Sequence, residues 1–376
     1  MAEQREIRSL TGLRGVAAMY VVGLHFTRPV SPVPALETFL AHGYMAVDLF
    51  FVLSGFVMAL NYKHMFASVW SLAGYLKFLG RRIARVYPLY LVCTLAALVL
   101  LLAGYLPWTS TFGSLRWALV RNLAMIQAWG FRHDGSFDGA AWSISAEWAA
   151  YLVFPLLLVP MLFRKPWIAW LSGLVCGVAL TVLCLLPRSF SHTTHLPRTL
   201  DFIGNHGVVL VRCIAEFSLG LLSFRVAGTS FGRGVQVIPW VGPAVCIALL
   251  VLLALPGTDL WVALLLPLLM VCTAEGKHWV NRILSSGPSH FVGIMSYSIY
   301  LTHQFLGPLA YRIQLKIAAH GIAHAHVYAL LIQTALVLPL AMLTNKLVEI
   351  PGRRWLRVLF EGNAVKPVRD NPMVPG

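Results

Sequence analysis

Two apolar stretches, LRGVAAMYVVGLHFT at residues 13–27 and GYMAVDLFFVLSGF at residues 43–56, decide the fold class of this chain. With its flanks, each is long enough to cross the hydrocarbon core of a bilayer as a helix. Arg14 and His25 are about three helical turns apart, so they share one face of the first helix at a separation of about 16 Å. Asp48 lies near the start of the second helix. Because ionisable residues are costly in lipid, their presence indicates a functional site.

Composition places the whole chain among polytopic membrane proteins. Of its 376 residues, 58% are hydrophobic and 11% are charged, and the mean hydropathy is +0.74. The formal net charge is +15, but the basic residues lie at the ends of apolar segments rather than in one patch. We therefore interpret them as topology signals and expect no nucleic-acid partner. The six cysteines lie inside apolar segments, where they act as small packing residues.

The pattern predicts an all-α fold with about ten transmembrane helices in one membrane domain, residues 1–359, and a disordered cytoplasmic tail, residues 360–376. The first span lacks a small-residue cleavage site and is expected to be retained. Its Gly12, Gly15 and Gly23 are expected to allow close helix packing. The predicted spans are 10–28, 40–61, 83–105, 141–162, 167–187, 207–226, 236–256, 258–275, 290–311 and 326–346.

The segment 115–130 is apolar but short, and it carries Arg116 and Arg121. If it does not cross the bilayer, the basic loops at 62–82, 225–235 and 276–289 all face the same side, as the positive-inside rule requires. We therefore predict an interfacial or re-entrant helix at 115–130. Both termini then lie in the cytoplasm.

This topology separates the polar residues by depth. Arg14, Arg82 and Arg85 are expected near the cytoplasmic side. His25 and Asp48 are expected near the outer side. Glu147, which opens the span at 141–162 from outside, is placed at a depth similar to that of His25. The lipid bilayer is therefore one expected partner of the chain.

Each ionisable residue has a structural alternative. Arg82 and Arg85 are one helical turn apart and suit phosphate groups, but basic residues at a cytoplasmic helix end also serve as anchors. His25 is either a functional base or a core histidine bonded across helices, and its arginine neighbour favours function. Asp48 is either a helix cap or the partner that orients His25.

Two further groups of ionisable residues are not expected to act on a substrate. Arg212 and Glu216 are spaced i to i+4 and are expected to form a structural ion pair within one helix. The histidines at 320, 324 and 326 have a spacing that a metal could use, but no acid or cysteine completes the set nearby. We expect no metal site there.

Seven short motifs follow one another along the chain: Arg14 with His25, DLFFVLSGF at 48–56, RIARVYP at 82–88, WSISAE at 142–147, Arg212 to Gly220, SYSIYLTH at 296–303 and EIP at 349–351. In this order they resemble the motifs of the acyltransferase-3 family of bacterial membrane O-acyltransferases. Two departures are visible: the acidic run at Glu147-Trp148 is short, and Thr302 stands where an aromatic residue is common.

The resemblance implies transfer of an acyl group, most often acetyl, from cytoplasmic acyl-CoA to a hydroxyl of a sugar, in the bacterial cytoplasmic (inner) membrane. Acyl-CoA is then a co-substrate, and no permanently bound cofactor is expected. Its phosphates and pantetheine arm would lie against residues on the cytoplasmic side: Arg14, Arg82, Arg85 and Tyr87.

The same resemblance implies that His25 is the general base, with Asp48 and Glu147 fixing its tautomer or positioning the acceptor. An acyl-histidine intermediate is the alternative route. The acceptor could be a cell-surface or lipid-linked sugar, or a small glycosylated natural product such as a macrolide. Two other classes compete: a secondary transporter, which should show matching halves that the sequence lacks, and a non-catalytic sensor or assembly subunit, which would not need these residues.

Overall fold

Every apolar run predicted to span the membrane folds mostly as helix. The computed structural model describes residues 6–27, 34–67, 71–106, 114–130, 137–187, 198–202, 207–320 and 325–361, and these residues form no strand. The helices are α1 Arg8–Thr27, α2 Pro34–Ala41, α3 Met45–Tyr62, α4 Leu72–Leu102, α5 Leu115–Leu123, α6 Trp142–Leu152, α7 Phe154–Leu158, α8 Pro166–Cys184, α9 Val208–Ala227, α10 Ser230–Val237, α11 Val241–Leu253, α12 Asp259–Glu275, α13 Trp279–Leu284, α14 Gly287–Ile294, α15 Ser296–Thr302, α16 Leu306–Ala319, α17 Ala325–Thr344 and α18 Ile350–Glu361.

The all-helical membrane fold is confirmed, but the prediction of ten spans is not. Within the described ranges, four helical stretches are long and apolar enough to cross a bilayer: Pro34–Phe66, Leu72–Leu102, Pro166–Cys184 and Val327–Glu361. The number rises to six if two bent helix pairs each count as one span.

Prolines lie at both bends. The run at 141–162 bends by 67° between α6 and α7, where Pro155 occupies the first turn of α7. α10 and α11 meet at an angle of 81° next to Pro239, and only the last two residues of α10 belong to the run predicted at 236–256. Proline cannot donate a backbone hydrogen bond and disfavours a helical residue before it, so neither pair forms one straight helix.

Glycines allow a very close helix crossing between α3 and α9. A Cβ atom on Gly55 would lie 1.9 Å from the Phe217 carbonyl oxygen, and one on Gly220 would lie 1.9 Å from the Val52 carbonyl oxygen. The two backbones can touch only because both positions lack a side chain. This crossing holds Asp48, on α3, against Arg212, on α9.

The first helix shows the same packing at two of its three predicted glycines. A Cβ atom on Gly12 would lie 1.9 Å from the Leu284 carbonyl oxygen, and one on Gly15 would lie 2.7 Å from the Gly293 amide nitrogen. At Gly23 the nearest such atom among the described residues is Leu40 Cδ2 at 3.9 Å, an ordinary van der Waals contact. α1 is therefore packed tightly over the half that contains Arg14.

The segment 115–130 contains only a short helix. α5 has nine residues, about 14 Å of helix, which is too short to cross a bilayer. Its last turn is tied to α4, because Tyr87 donates a hydrogen bond to the Leu123 carbonyl at 3.0 Å and Tyr90 donates one to the Asn122 carbonyl at 2.6 Å.

The last helix folds back along α4. A Cβ atom on Gly352 would lie 2.5 Å from Pro88 Cβ, and Arg81 forms an ion pair with Glu361. Of the tail predicted at 360–376, Phe360 and Glu361 thus end α18, and the remainder lies outside the described residues. His324 and the side chain of His326, weighed above as part of a metal site, also lie outside them.

Candidate active site

Two histidines meet near the end of α1. His25 Nδ1 lies 3.2 Å from His303 Nε2, and the two ring centroids are 4.9 Å apart. Gln304, the next residue, places its side-chain amide nitrogen 3.4 Å from His25 Nε2. His25 is exposed, whereas His303 is completely buried. We call His25 and His303 the histidine pair; it has one face open to a substrate and one face held by the protein.

A second group, the arginine cluster, consists of Arg14, Arg82, Arg85, Glu147 and Glu349. In it, Arg85 forms an ion pair with Glu349. The second carboxylate oxygen of Glu349 accepts hydrogen bonds from the Ser298 hydroxyl at 2.7 Å and the Asn345 amide at 2.9 Å. The Arg85 charge is therefore neutralised by a carboxylate that the protein already holds in place.

Arg82 is held differently. Its Nη2 donates a hydrogen bond to the Tyr151 hydroxyl at 2.7 Å, and its guanidinium carbon lies 4.5 Å from the centre of the Tyr151 ring. Tyr151 in turn donates a hydrogen bond to Glu147. Arg82 Nε is buried without a partner among the described residues. Arg82 is thus oriented by the Tyr151 ring, and its Nε donor is not used by the described residues.

Arg14 connects the cluster to α1. It interacts electrostatically with Arg85, Glu349 and Glu147. Within the described ranges it donates no hydrogen bond. A guanidinium group that is held among charges without a fixed acceptor suits an anionic ligand.

Arg212, on α9, is completely buried and forms a third group. Arg212 Nε donates to Asp48 Oδ1 at 2.8 Å, its Nη2 forms an ion pair with Asp48, and its Nη1 donates to the Leu200 carbonyl at 2.7 Å. Arg212 Nε lies 3.9 Å from Glu216 Oε1. The predicted pairing of Arg212 with Glu216 is thus present but secondary to the bidentate contact with Asp48.

Comparison with known proteins bears on what these groups do. A family profile described as acyltransferase domain, acyltransferase-3, matches residues 7–347. The chain belongs to the acyltransferase-3 family. That range includes every residue of the histidine pair and, apart from Glu349, of the arginine cluster.

Two relatives share part of the sequence of this chain. Acyltransferase MdmB from Streptomyces mycarofaciens is 32% identical over 245 residues, which cover 61% of this chain and 60% of that protein. Protein 2 in picA locus from Rhizobium radiobacter is 32% identical over 152 residues, which cover 38% of this chain and 74% of that protein. The chain therefore spans about three fifths of the length of MdmB. No solved structure matches it.

The structure groups the predicted site residues differently from the sequence-based prediction. Asp48 contacts Arg212, and Glu147 contacts Tyr151, so the structure places neither acid as the hydrogen-bond partner that orients His25. Packing is the reason, because the α3–α9 crossing directs Asp48 into the core and α6 directs Glu147 towards α4. The Tyr87 hydroxyl, predicted to face acyl-CoA, is used to hold α5.

Sequence reasoning assigned no role to His303, Glu349 or Arg353. Two of them stand in the motifs SYSIYLTH and EIP, so their positions were visible but their partners were not. Arg353, on α18, interacts electrostatically with Arg85 and Arg82 and adds a cation to the arginine cluster. The C-terminal helix therefore contributes to a site whose other members come from the first half of the chain and from residue 349.

One further buried polar group serves packing. His42 Nε2 lies 3.1 Å from Asp259 Oδ1, and Asp259 Oδ2 accepts from the Tyr44 hydroxyl at 2.6 Å and the Leu200 amide at 2.7 Å. His42 Nδ1 lies 2.8 Å from the Leu253 carbonyl. The polar side chains of His42 and Asp259 are completely enclosed and bonded to one another, so this cluster ties α2, α3, α11 and α12 together.

Proposed function

We propose that this acyltransferase moves an acyl group, acetyl being the first to test, from cytoplasmic acyl-CoA to a hydroxyl of a cell-surface or lipid-linked sugar. It would work in the bacterial cytoplasmic membrane with both termini in the cytoplasm. The observation that supports this most directly is the separation of the two groups on α1. Arg14 belongs to the arginine cluster, and His25, about 16 Å further along the helix, belongs to the histidine pair.

This spacing suits the shape of acyl-CoA. Its phosphates are anionic and its pantetheine arm is long and thin, so a cationic group and a reactive histidine must stand far apart. Arg82 Nε has no partner among the described residues, and guanidinium groups bind phosphate oxygens with charge-assisted hydrogen bonds. Arg14 lies in the same cluster of charges. The arginine cluster would hold the phosphates while the thioester reaches the histidine pair.

At the histidine pair, His25 would act as general base. It would take the proton of the acceptor hydroxyl while the hydroxyl oxygen attacks the thioester carbonyl. As the tetrahedral intermediate collapses, the carbon–sulfur bond breaks, the acyl group stays on the acceptor oxygen, and the CoA sulfur leaves with the pair of electrons. His25 then returns its proton to that sulfur.

The test is acyl transfer in membranes containing either the parent protein or His25→Ala, with labelled acetyl-CoA. The acceptors are a lipid-linked sugar, a polysaccharide and a glycosylated macrolide, because the same chemistry serves each of these classes. We expect His25→Ala to lose transfer by about 100-fold or more, the usual contribution of a general base, while protein amounts stay equal. His290→Ala, a change on α14 at a histidine that contacts Glu6, serves as the matched control.

Two outcomes would overturn the proposal. One is transfer by His25→Ala above a tenth of the parent rate. The other is a parent protein that uses no acyl-CoA with any of the three acceptor classes. Accumulation of a stable acyl-protein in the parent that is absent in His25→Ala would replace direct transfer by the acyl-histidine route.

A further inference from the structure

We infer that His303 positions His25 for proton transfer by accepting a hydrogen bond from its Nδ1–H group. The inference rests on the proposed function, since it concerns how the base is held. It gives His303 the role that the sequence suggested for Asp48 or Glu147. The positions of the hydrogen-bond acceptors around the two imidazole rings support this role of His303.

The proton of His303 is located by its backbone neighbours. His303 Nδ1 lies 2.7 Å from the Tyr300 carbonyl oxygen and 3.3 Å from the Ile299 carbonyl oxygen. A carbonyl oxygen can only accept, so Nδ1 carries the proton. In the neutral ring the lone pair is then at Nε2, which is the atom that faces His25.

The proton of His25 follows from the same reasoning. His25 Nδ1 lies 2.9 Å from the Val21 carbonyl oxygen and 3.2 Å from His303 Nε2. Since both of these atoms accept, Nδ1 of His25 carries the proton. The basic nitrogen is therefore Nε2, which lies 3.4 Å from the side-chain amide nitrogen of Gln304. One assignment of protons satisfies both neutral rings.

The surroundings hold His303 in this orientation. It is completely buried, and the rings of Tyr300 and Phe26 lie with their centroids 6.1 Å and 6.3 Å from its own. The Tyr300 hydroxyl is in turn 2.7 Å from the Ser143 hydroxyl. His303 thus cannot turn its Nε2 away from His25 without breaking packing and two backbone hydrogen bonds.

This arrangement favours the protonated form that His25 takes during transfer. When Nε2 of His25 accepts the proton of the hydroxyl, the ring becomes a cation and its Nδ1–H···Nε2 bond to His303 becomes charge-assisted, hence stronger. The proton stays on His25, because His303 is buried and its other nitrogen already donates to carbonyl groups. A neutral imidazole here does what a carboxylate does in a Ser-His-Asp triad.

The experiment compares three substitutions of His303 in the full-length protein. His303→Phe fills the space but cannot accept. His303→Gln can place its side-chain oxygen near the position of Nε2. His303→Asn is too short to reach His25 but can still bond to the Tyr300 carbonyl. Rates are measured against acyl-CoA concentration and against pH, with His290→Phe as the matched control.

We expect His303→Phe and His303→Asn to lower kcat by about 10- to 100-fold, since the base remains but is poorly held. The KM for acyl-CoA should not change. The acidic limb of the rate–pH profile should move to lower pH, because His25 no longer gains an acceptor when it is protonated. His303→Gln should recover kcat to within about 10-fold of the parent.

The inference is overturned if His303→Phe keeps kcat within about twofold of the parent, or if His303→Asn is at least as active as His303→Gln. It is also overturned if kcat falls while the acidic limb of the rate–pH profile stays at the same pH, because that result indicates a purely structural role for His303. Should His303→Phe fail to accumulate, the comparison of Asn with Gln decides. Activity lost in His25→Ala but kept in all three His303 variants would remove this inference and leave the proposed function standing.

Discussion

Arg82 and Arg85 differ in how the protein occupies their guanidinium groups, although they are one helical turn apart. Arg85 is neutralised by Glu349, whereas Arg82 contacts a neutral hydroxyl and an aromatic ring. The two residues should therefore respond differently to the same substitution. A lysine keeps the charge but loses the planar fork and its stacking on Tyr151.

We predict that Arg82→Lys raises the apparent KM for acyl-CoA by about 10-fold and leaves kcat nearly unchanged, because contacts remote from the reacting carbon are alike in ground and transition states. Arg85→Lys should instead reduce the amount of folded protein, with a smaller effect on KM. Titration of acyl-CoA at fixed acceptor, with protein amounts normalised, measures both. If the transfer rate depends on acyl-CoA concentration in the same way in the parent and in both variants, Arg82 and Arg85 serve only as a cytoplasmic anchor.

Asp138 is a buried carboxyl just before α6, and sequence reasoning passed over it. It is 3% exposed. Its Oδ1 accepts from the Ala140 amide at 3.2 Å, and its Oδ2 has no partner in the part of the chain that the structure describes. Burial raises the pKa of the Asp138 carboxyl from 3.8 to about 7, opposed by the Ala140 amide.

This pKa predicts how stability changes with pH. The pKa of Asp138 is higher in the folded than in the unfolded protein, so the folded protein binds the proton more tightly. This binding adds about 4 kcal/mol to the free energy of unfolding at low pH, and the contribution is lost as pH rises from about 4 to about 7. Asp138→Asn should therefore raise the thermal unfolding midpoint in detergent, more at pH 8 than at pH 5. Glu37→Gln, at an exposed acid of α2, is the control. A gain equal at both pH values would contradict the burial argument.

At the scale of the helices, the α3–α9 crossing is the element on which the buried groups depend. It brings Asp48 to Arg212 and leaves a completely buried arginine with hydrogen bonds to a carboxylate and a carbonyl. A charge in such a place is tolerated only when it is paired and bonded. The glycines at the crossing are thus as necessary as the ion pair that they allow.

We predict that Gly55→Ala lowers the yield of folded protein, because its Cβ atom would overlap the Phe217 carbonyl oxygen. Overpacking of this kind costs about 1–3 kcal/mol. Gly177→Ala on α8 is the matched control, since its Cβ atom would meet only Leu264 Cδ2, at 3.8 Å. Size-exclusion chromatography of the fluorescently tagged proteins in detergent measures the monodisperse fraction. Equal monodisperse fractions for Gly55→Ala and Gly177→Ala would contradict the prediction, because they would show that α3 and α9 can move apart while the protein stays folded.

For the whole molecule, the position of α5 decides how the chain is threaded through the bilayer. The end of α5 is hydrogen-bonded to α4 at Tyr87 and Tyr90. α6 then continues along the other half of α4, where Tyr75 donates to the Leu152 carbonyl at 2.7 Å. α5 and α6 thus contact α4 at different positions along its length, which fits a re-entrant segment at 115–130 followed by a single crossing.

This threading gives a topology prediction. A reporter that is active only in the cytoplasm should be inactive when fused after Gly130 and active when fused after Lys165, because one crossing separates the two points. A fusion after Lys63, which the positive-inside rule places in the cytoplasm, is the positive control. Activity after Gly130 together with inactivity after Lys165 would mean that 115–130 crosses the membrane, and would reverse the orientation of α6.

The sequence by itself determined the membrane class, the helical fold, the position of most helices and the family. These follow from local properties: the length of an apolar run, the hydropathy of its residues and short ordered motifs. Local reasoning also predicted the close packing at Gly12 and Gly15. Hydropathy does not show where proline or a 3₁₀ turn, as at His303–Phe305, breaks an apolar run, and the ten predicted spans are not confirmed.

Only the tertiary structure decided which ionisable side chains meet. Asp48 and Arg212 are 164 positions apart, and His25 and His303 are 278 positions apart. Distances along one helix gave His25 an arginine on its own face but could not show that α15 and its following turn bring a histidine beside it. Hydrogen bonds have short reach and strict geometry, so their partners are selected by helix packing, which depends on contacts spread over the whole chain.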